Sequence, residues 1–374
     1  MHREMEFWRM FVPREELTRV YMAMSIRSFA VSLTSLFVPL YLYSELHYTF
    51  EETLLFFVFN SLIFALMVPV AAKFCARFGL KHSVLLSVPF YLSYIVLLQF
   101  LPMWKTPLMV ISALLGFSLA FYWMGMNLVF QCATDHAHRG EQVGKQMGYS
   151  IVATMIGPLV GGLIIERFGF MALFGLAMVF LCLSAGILFL SEERHVAYHF
   201  SLRGVVDRKH WGNSLYFVSK GTRIMAEGVI WPMAIFVILG GYVRLGIMGT
   251  VLSLVSAILV WVVGKYSDSF GKRGIIWLIT GFESLAWFFR SIVGSVAMVF
   301  GVTIFAGVAD GIREAPLGAL ECDKARGELA SYYVVREIYI SLGRMLILLF
   351  VLLVHNLQAG LLFQGFANLA TLWF

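Results

Sequence analysis

The chain has 374 residues, of which 60% are hydrophobic and only 13% charged; mean hydropathy is +0.83 and the formal net charge is +6. A soluble domain carries about 25% charged residues, so this composition excludes a water-soluble globule and points to a lipid-facing exterior. In hydrocarbon only helices or closed barrels leave no backbone group unpaired, and an unbroken apolar run such as Met345 to Val354 lacks the in/out alternation of a barrel strand.

Taken in chain order, the first segment carries Arg3, Glu4, Glu6 and Arg9 ahead of an apolar run too long for a signal peptide, and it reads as a retained cytoplasmic segment. Runs of about twenty residues then predict helical spans over Val20 to Tyr43, Thr53 to Phe74, His82 to Leu101, Pro107 to Gln131, Gln146 to Ile165 and Met171 to Leu190. A polar stretch follows, and six more spans are expected over Ser214 to Leu239, Leu245 to Gly264, Ile275 to Ile292, Val296 to Leu317, Ser331 to Val354 and Gly360 to Phe374. The last is short, so either the final helix is barely long enough or the sequence is truncated. The reading is an all-α integral membrane protein of twelve transmembrane helices: a six-helix half over residues 1–190, a cytoplasmic linker over 191–213 and a second six-helix half over 214–374.

Most loop lysines and arginines fall on the side of the N-terminus, which the positive-inside rule places in the cytoplasm together with the C-terminus. This distribution accounts for the basic balance without nucleic acid as a partner. The four cysteines lack metal-ligand spacing and read as free thiols. Two internal echoes indicate duplication. Residues Ala72 to Lys81 align with Gly264 to Arg273, keeping Lys, Phe, Gly and a final basic residue, and Arg139-Gly140-Glu141 recurs as Arg326-Gly327-Glu328. Repeated halves are typical of transporters that rock about a central site.

On these residues the sequence resembles the major facilitator superfamily, whose loops between the second and third and the eighth and ninth helices carry GxLaDrxGrk. Gly264, Asp268, Gly271, Lys272 and Arg273 match the second copy; the first has Ala72 and Ala76 where Gly and Asp are expected. The resemblance implies that Asp268 and its neighbours form a conformational latch; a solvated loop acid beside basic residues is the alternative. In the fifth span Gly157, Pro158, Gly161 and Gly162 resemble the GPxxGG element of antiporter branches. Packing alone explains glycines four apart on one face beside a proline, and a sealing role in exchange is what the resemblance adds.

Charges inside spans are costly, about 2.5 to 3.5 kcal/mol each on the lenient insertion scale, and so face a protein or water-filled interior. The seventh span holds Lys220, Arg223 and Glu227 on one face, with Arg223 and Glu227 four apart, followed by Trp231-Pro232. Glu227 is the candidate proton carrier. The tenth span carries Asp310, Arg313 and Glu314, and the eleventh Arg336, Glu337 and Arg344. Near balance of acids and bases allows a purely structural salt-bridge network there, and Glu283 and Arg290 are expected to pair elsewhere in the bundle. In the first half Arg27 stands alone, with Tyr122, Trp123, Asn127 and Gln131 on the fourth span; it attracts an anionic group, pairs with an acid of another helix or snorkels to the cytoplasm. The expected substrate and coupling cavity comprises Arg27, Asn127, Lys220, Arg223, Glu227, Trp231 and Asp310.

No phosphate-binding loop, HExxH or GxSxG element is present, and the single HxH of His136 and His138 is weak evidence for metal. The sequence therefore predicts no catalytic residue, no metal site and no cofactor. It predicts a monomeric multi-pass protein of the cell membrane whose partners are the lipid bilayer, a small organic solute and a proton or other coupling ion. Alternating access with efflux by proton exchange is the first expectation. An organic-anion, sugar or peptide transporter of the same fold is the second, and a non-transporting sensor or scramblase the third.

Overall fold

A computed structural model describes residues 16–133, 139–190, 211–266, 272–324 and 329–374. Its helices run back and forth between two ends, the near end being that at which the first helix starts. Helix α1 comprises Glu16–Ser35, Val38–Leu40 and a wide π turn over Tyr41–Glu45. The next three are α2 (Phe50–Phe78), α3 (Leu80–Gln99) and α4 (Leu108–Ala133). The run Arg139–Phe189 is broken at Gly169, whose φ of 78° no L side chain adopts readily, into α5 (139–168) and α6 (170–189).

The second half repeats the scheme. Helix α7 joins Trp211–Met225, a π turn Ala226–Ile230 and Trp231–Leu239; then come α8 (Tyr242–Tyr266), α9 (Lys272–Ser291), α10 (Val296–Lys324), α11 (Leu329–Val354) and α12 (Leu357–Ala367, continued as a 3-10 turn over Asn368–Trp373). Among the described residues nine stretches are long and apolar enough to cross a membrane. One of them, Ala153–Phe189, contains both α5 and α6; α9, which carries Glu283 and Arg290, and the short α12 complete the expected twelve. Helix α7 begins at Trp211, three residues ahead of the expected boundary.

Local chemistry sets the helix ends. Thr49 caps α2 in a reciprocal box with Glu52, and Asn356 caps α12 by accepting from the amides of Gln358 and Ala359. Gly79, at φ 100°, makes the sharp turn between α2 and α3. The half-chain repeat extends to α1 and α7, where Arg27 and Lys220 each precede a proline, Pro39 and Pro232, by the same interval.

Two seams join the halves. Along one, α5 lies against α8: a Cβ on Gly162 would strike the carbonyl of Tyr242, one on Gly246 the carbonyl of Pro158, and Thr250 Oγ1 donates to Met155 O at 2.8 Å. Gly157 and Gly161 face the other way, onto Ser32 and Leu33 of α1. The four-residue motif thus seats α5 between a helix of its own half and one of the opposite half. Along the second seam, the near end of α11 (Ala330, Tyr333, Val334) packs with Phe64, Val68, Ala71 and Cys75 of α2 in one apolar cluster. At the far end His355 lies 3.2 Å from Glu51, again across the halves.

Candidate functional site

The apolar bundle encloses a charge network confined to the second half. Its centre is Arg223 on α7, with Asp310 at 2.6 Å, Glu283 at 2.9 Å, Glu314 at 3.3 Å and Glu227 at 3.6 Å. One planar guanidinium thus gathers carboxylates from α7, α9 and α10, a task suited to its five fixed donors. Glu283 reaches Arg313 at 3.2 Å with its other oxygen, and Glu227 reaches Arg290 at 3.3 Å. Both Glu283 contacts are ion pairs without hydrogen-bond alignment, since neither of its oxygens nor the Nε of Arg223 or Arg313 has a hydrogen-bond partner. Three arginines therefore serve four acids, and the network carries one more carboxylate than guanidinium.

The π turn places Glu227. A proline at 232 cannot donate a backbone hydrogen bond, and the widened turn over Ala226–Ile230 just before it accommodates the irregularity while swinging Glu227 between Arg223 and Arg290. Trp231 is buried, its ring 5.2 Å from the Arg290 guanidinium, which also lies 4.3 Å over Trp287.

Lys220 belongs to a separate cluster toward the near end. It pairs with Glu321, which also accepts from Tyr216 at 2.7 Å and from Arg336 at 3.1 Å, and Arg336 meets Glu337 at 2.7 Å. Glu321 lies past the apolar span Val296–Gly318; burial pushes its carboxyl up, but Lys220 and Arg336 outweigh that and hold it well below the usual range.

In the first half Arg27 is buried, its guanidinium 3.7 Å over the Tyr122 ring and 5.4 Å from Tyr91, with one hydrogen bond to Ser87 at 3.3 Å. No carboxylate lies within ion-pair distance among the described residues, and its Nε and Nη2 have no acceptor. Snorkelling is thereby set aside, because the side chain folds onto α3 and α4 inside the half. Arg344 on α11 is likewise buried, 4.9 Å over Phe64 across the second seam. Asn127 is half-buried with its amide nitrogen unpartnered, whereas Trp123 is exposed on the outer surface.

Of the expected latch, Asp268 and Gly271 lie outside the described residues, as do His136 and His138. Gly264 falls near the end of α8, and Lys272 and Arg273 open α9. The sequence assigned Glu283 and Arg290 no part in the site, yet they bridge its arginines and acids. Their spacing of seven on one face was the available signal.

The family model described as Major Facilitator Superfamily matches residues 20–347. The chain belongs to this superfamily. Among solved structures it is similar to the major facilitator transporter FucP in its outward conformation, with a TM-score of 0.68 and 11% identity over 95% of this chain and 96% of that one. A variant of FucP, described as the E. coli fucose:proton symporter, aligns with a TM-score of 0.67 at 11% identity over the same shares. A curated relative, the uncharacterized protein YqgE of Bacillus subtilis (strain 168), is 26% identical over 359 residues, covering 88% of this chain and 81% of its own length. As a major facilitator protein the chain is a multi-pass secondary membrane transporter and not an enzyme.

Proposed function

We propose that this transporter moves a small organic solute across the plasma membrane in exchange for protons, working as a monomer whose near end faces the cytoplasm. The observation that carries the proton coupling is the gathering of four carboxylates on three arginines, with Asp310 and Glu283 buried and Glu227 and Glu314 part-exposed. A network with one surplus acid holds a proton readily; Glu227 bridges Arg223 and Arg290, which keep it ionised while both are in place, and it takes the proton when the cycle draws one of them away. FucP offers a precedent for proton coupling on this fold, at an identity that carries the fold alone. Export is supported by the GPxxGG resemblance, whose Pro158 and Gly162 contact α8 of the opposite half.

The buried Arg27, with no acid beside it among the described residues, favours an organic anion as a second reading of the substrate class, because a guanidinium set among tyrosines gains most from an incoming carboxylate or phosphate. The Asp268 latch would, on the same reading, hold the cytoplasmic side closed in one state of the cycle.

Proteoliposomes loaded with a pH-sensitive dye and given lipophilic cations, organic anions or sugars test the proposal. A proton signal with one class of solute is expected. Silence across the panel from verified folded protein would contradict proton coupling, and lipid scrambling without a gradient would replace the transporter reading altogether.

A further inference from the structure

A cavity of about 310 Å³ opens at the far end of the second half, between α7, α9 and the start of α12, with Phe50 of the first half and His355 at its edge. Its volume is at the small end of the range for ligand sites. Ala234, Ile235, Ile238, Val293 and Leu361 supply an apolar wall, and Arg290 and Trp231, with His355, Asn356 and Gln358 toward the rim, supply the polar part. Among the described residues no Asp or Glu lines it.

Arg290 uses Nη1 on Glu227. Its Nε and Nη2, the pair that makes the side-on fork of a guanidinium, have no acceptor among the described residues and are themselves covered, so an incoming acceptor meets them as the side chain turns toward the cavity. The indole Nε1 of Trp231 is also buried and without a partner. Buried donors left unmade cost stability, and nearly all of them in native proteins find an acceptor. A carboxylate matches what is missing: two oxygens for the fork, a negative charge beside a guanidinium and no donor of its own to satisfy. The hydrocarbon wall then accepts an apolar body no larger than one ring.

We propose that this cavity binds a small organic carboxylate, a branched short-chain or single-ring monoanion, with its oxygens on the free edge of Arg290 and its apolar part against Ile235, Ile238 and Leu361. The site shares Arg290 with the inner network, whose Glu227 occupies Nη1, but the role proposed for it is a ligand contact and not a proton step. Its test needs no transport, so the two readings fail independently.

Calorimetric titration of the full chain in lipid nanodiscs with isovalerate and benzoate, and with benzamide as the uncharged counterpart of benzoate, decides it. Saturable binding of at least one acid is expected, with benzamide weaker by more than about tenfold, the factor one charge-assisted contact represents. Ala234→Phe fills the cavity while leaving every charged residue in place and should abolish binding; Arg290→Gln should weaken it by a similar factor in protein verified as folded. Absence of binding by both acids, equal binding of benzamide, or binding that survives Ala234→Phe would each overturn the assignment.

Discussion

Nη2 of Arg223 lies 2.6 Å from Oδ1 of Asp310, and this contact ties α7 to α10 through the middle of the second half. The same guanidinium also holds Glu283 of α9, so one side chain fixes three helices. Removing it leaves a cluster of buried carboxylates that repel one another, the situation in which a broken buried pair costs most.

Arg223→Gln is therefore expected to lower unfolding stability by about 3 to 5 kcal/mol, read as reduced thermal stability in detergent. Asp310→Asn added to it should restore part of the loss, because the second change removes one of the stranded charges. Equal damage from the double variant would mean that Arg223 acts by packing alone.

The glycines of α5 separate two roles. Gly161 faces Leu33 and Phe37 inside its own half, so Gly161→Leu should destabilise the protein by about 1 to 3 kcal/mol through overpacking. Gly162 faces Tyr242 across the seam. Gly162→Leu should leave the first half folded but change how closely the halves approach, seen as altered reactivity of cysteines introduced along the seam. Identical effects of the two substitutions would assign the motif to packing only.

Glu51 and His355 meet at 3.2 Å on the far end, both exposed. Surface pairs of this kind contribute about 0 to 1 kcal/mol, so His355→Ala should barely change stability. Joining the positions is another matter: with Glu51→Cys and His355→Cys, a short reducible cross-linker should arrest transport, and reductant should restore it. Full activity of the cross-linked protein would show that the halves need not part here.

Much of the architecture was legible because the bilayer imposes it. Apolar runs near twenty residues yielded twelve helices, and the helices and the family model agree with that reading. Gly79 fell between the expected second and third spans, and its φ of 100° makes the turn there. The site was less legible. The interval between Arg223 and Glu227 showed that they share a face, but no spacing reveals which neighbouring helix that face meets. Glu283 and Arg290 were accordingly assigned elsewhere, although they join Arg223, Glu227 and Arg313. Lys220 shares the face with Arg223 yet lies almost a turn closer to the near end, where Glu321 captures it. The π turn at Ala226–Ile230 had no sequence signal beyond the nearby Pro232.

The central claim is that Glu227, a member of a network with one acid more than it has arginines, couples solute movement to protons. It is tested most directly by comparing the wild-type chain with Glu227→Gln in proteoliposomes, measuring solute accumulation under an imposed proton gradient beside solute exchange without one. The account predicts that the variant folds and exchanges solute but no longer accumulates it. Gradient-driven accumulation equal to that of the wild type would contradict the claim.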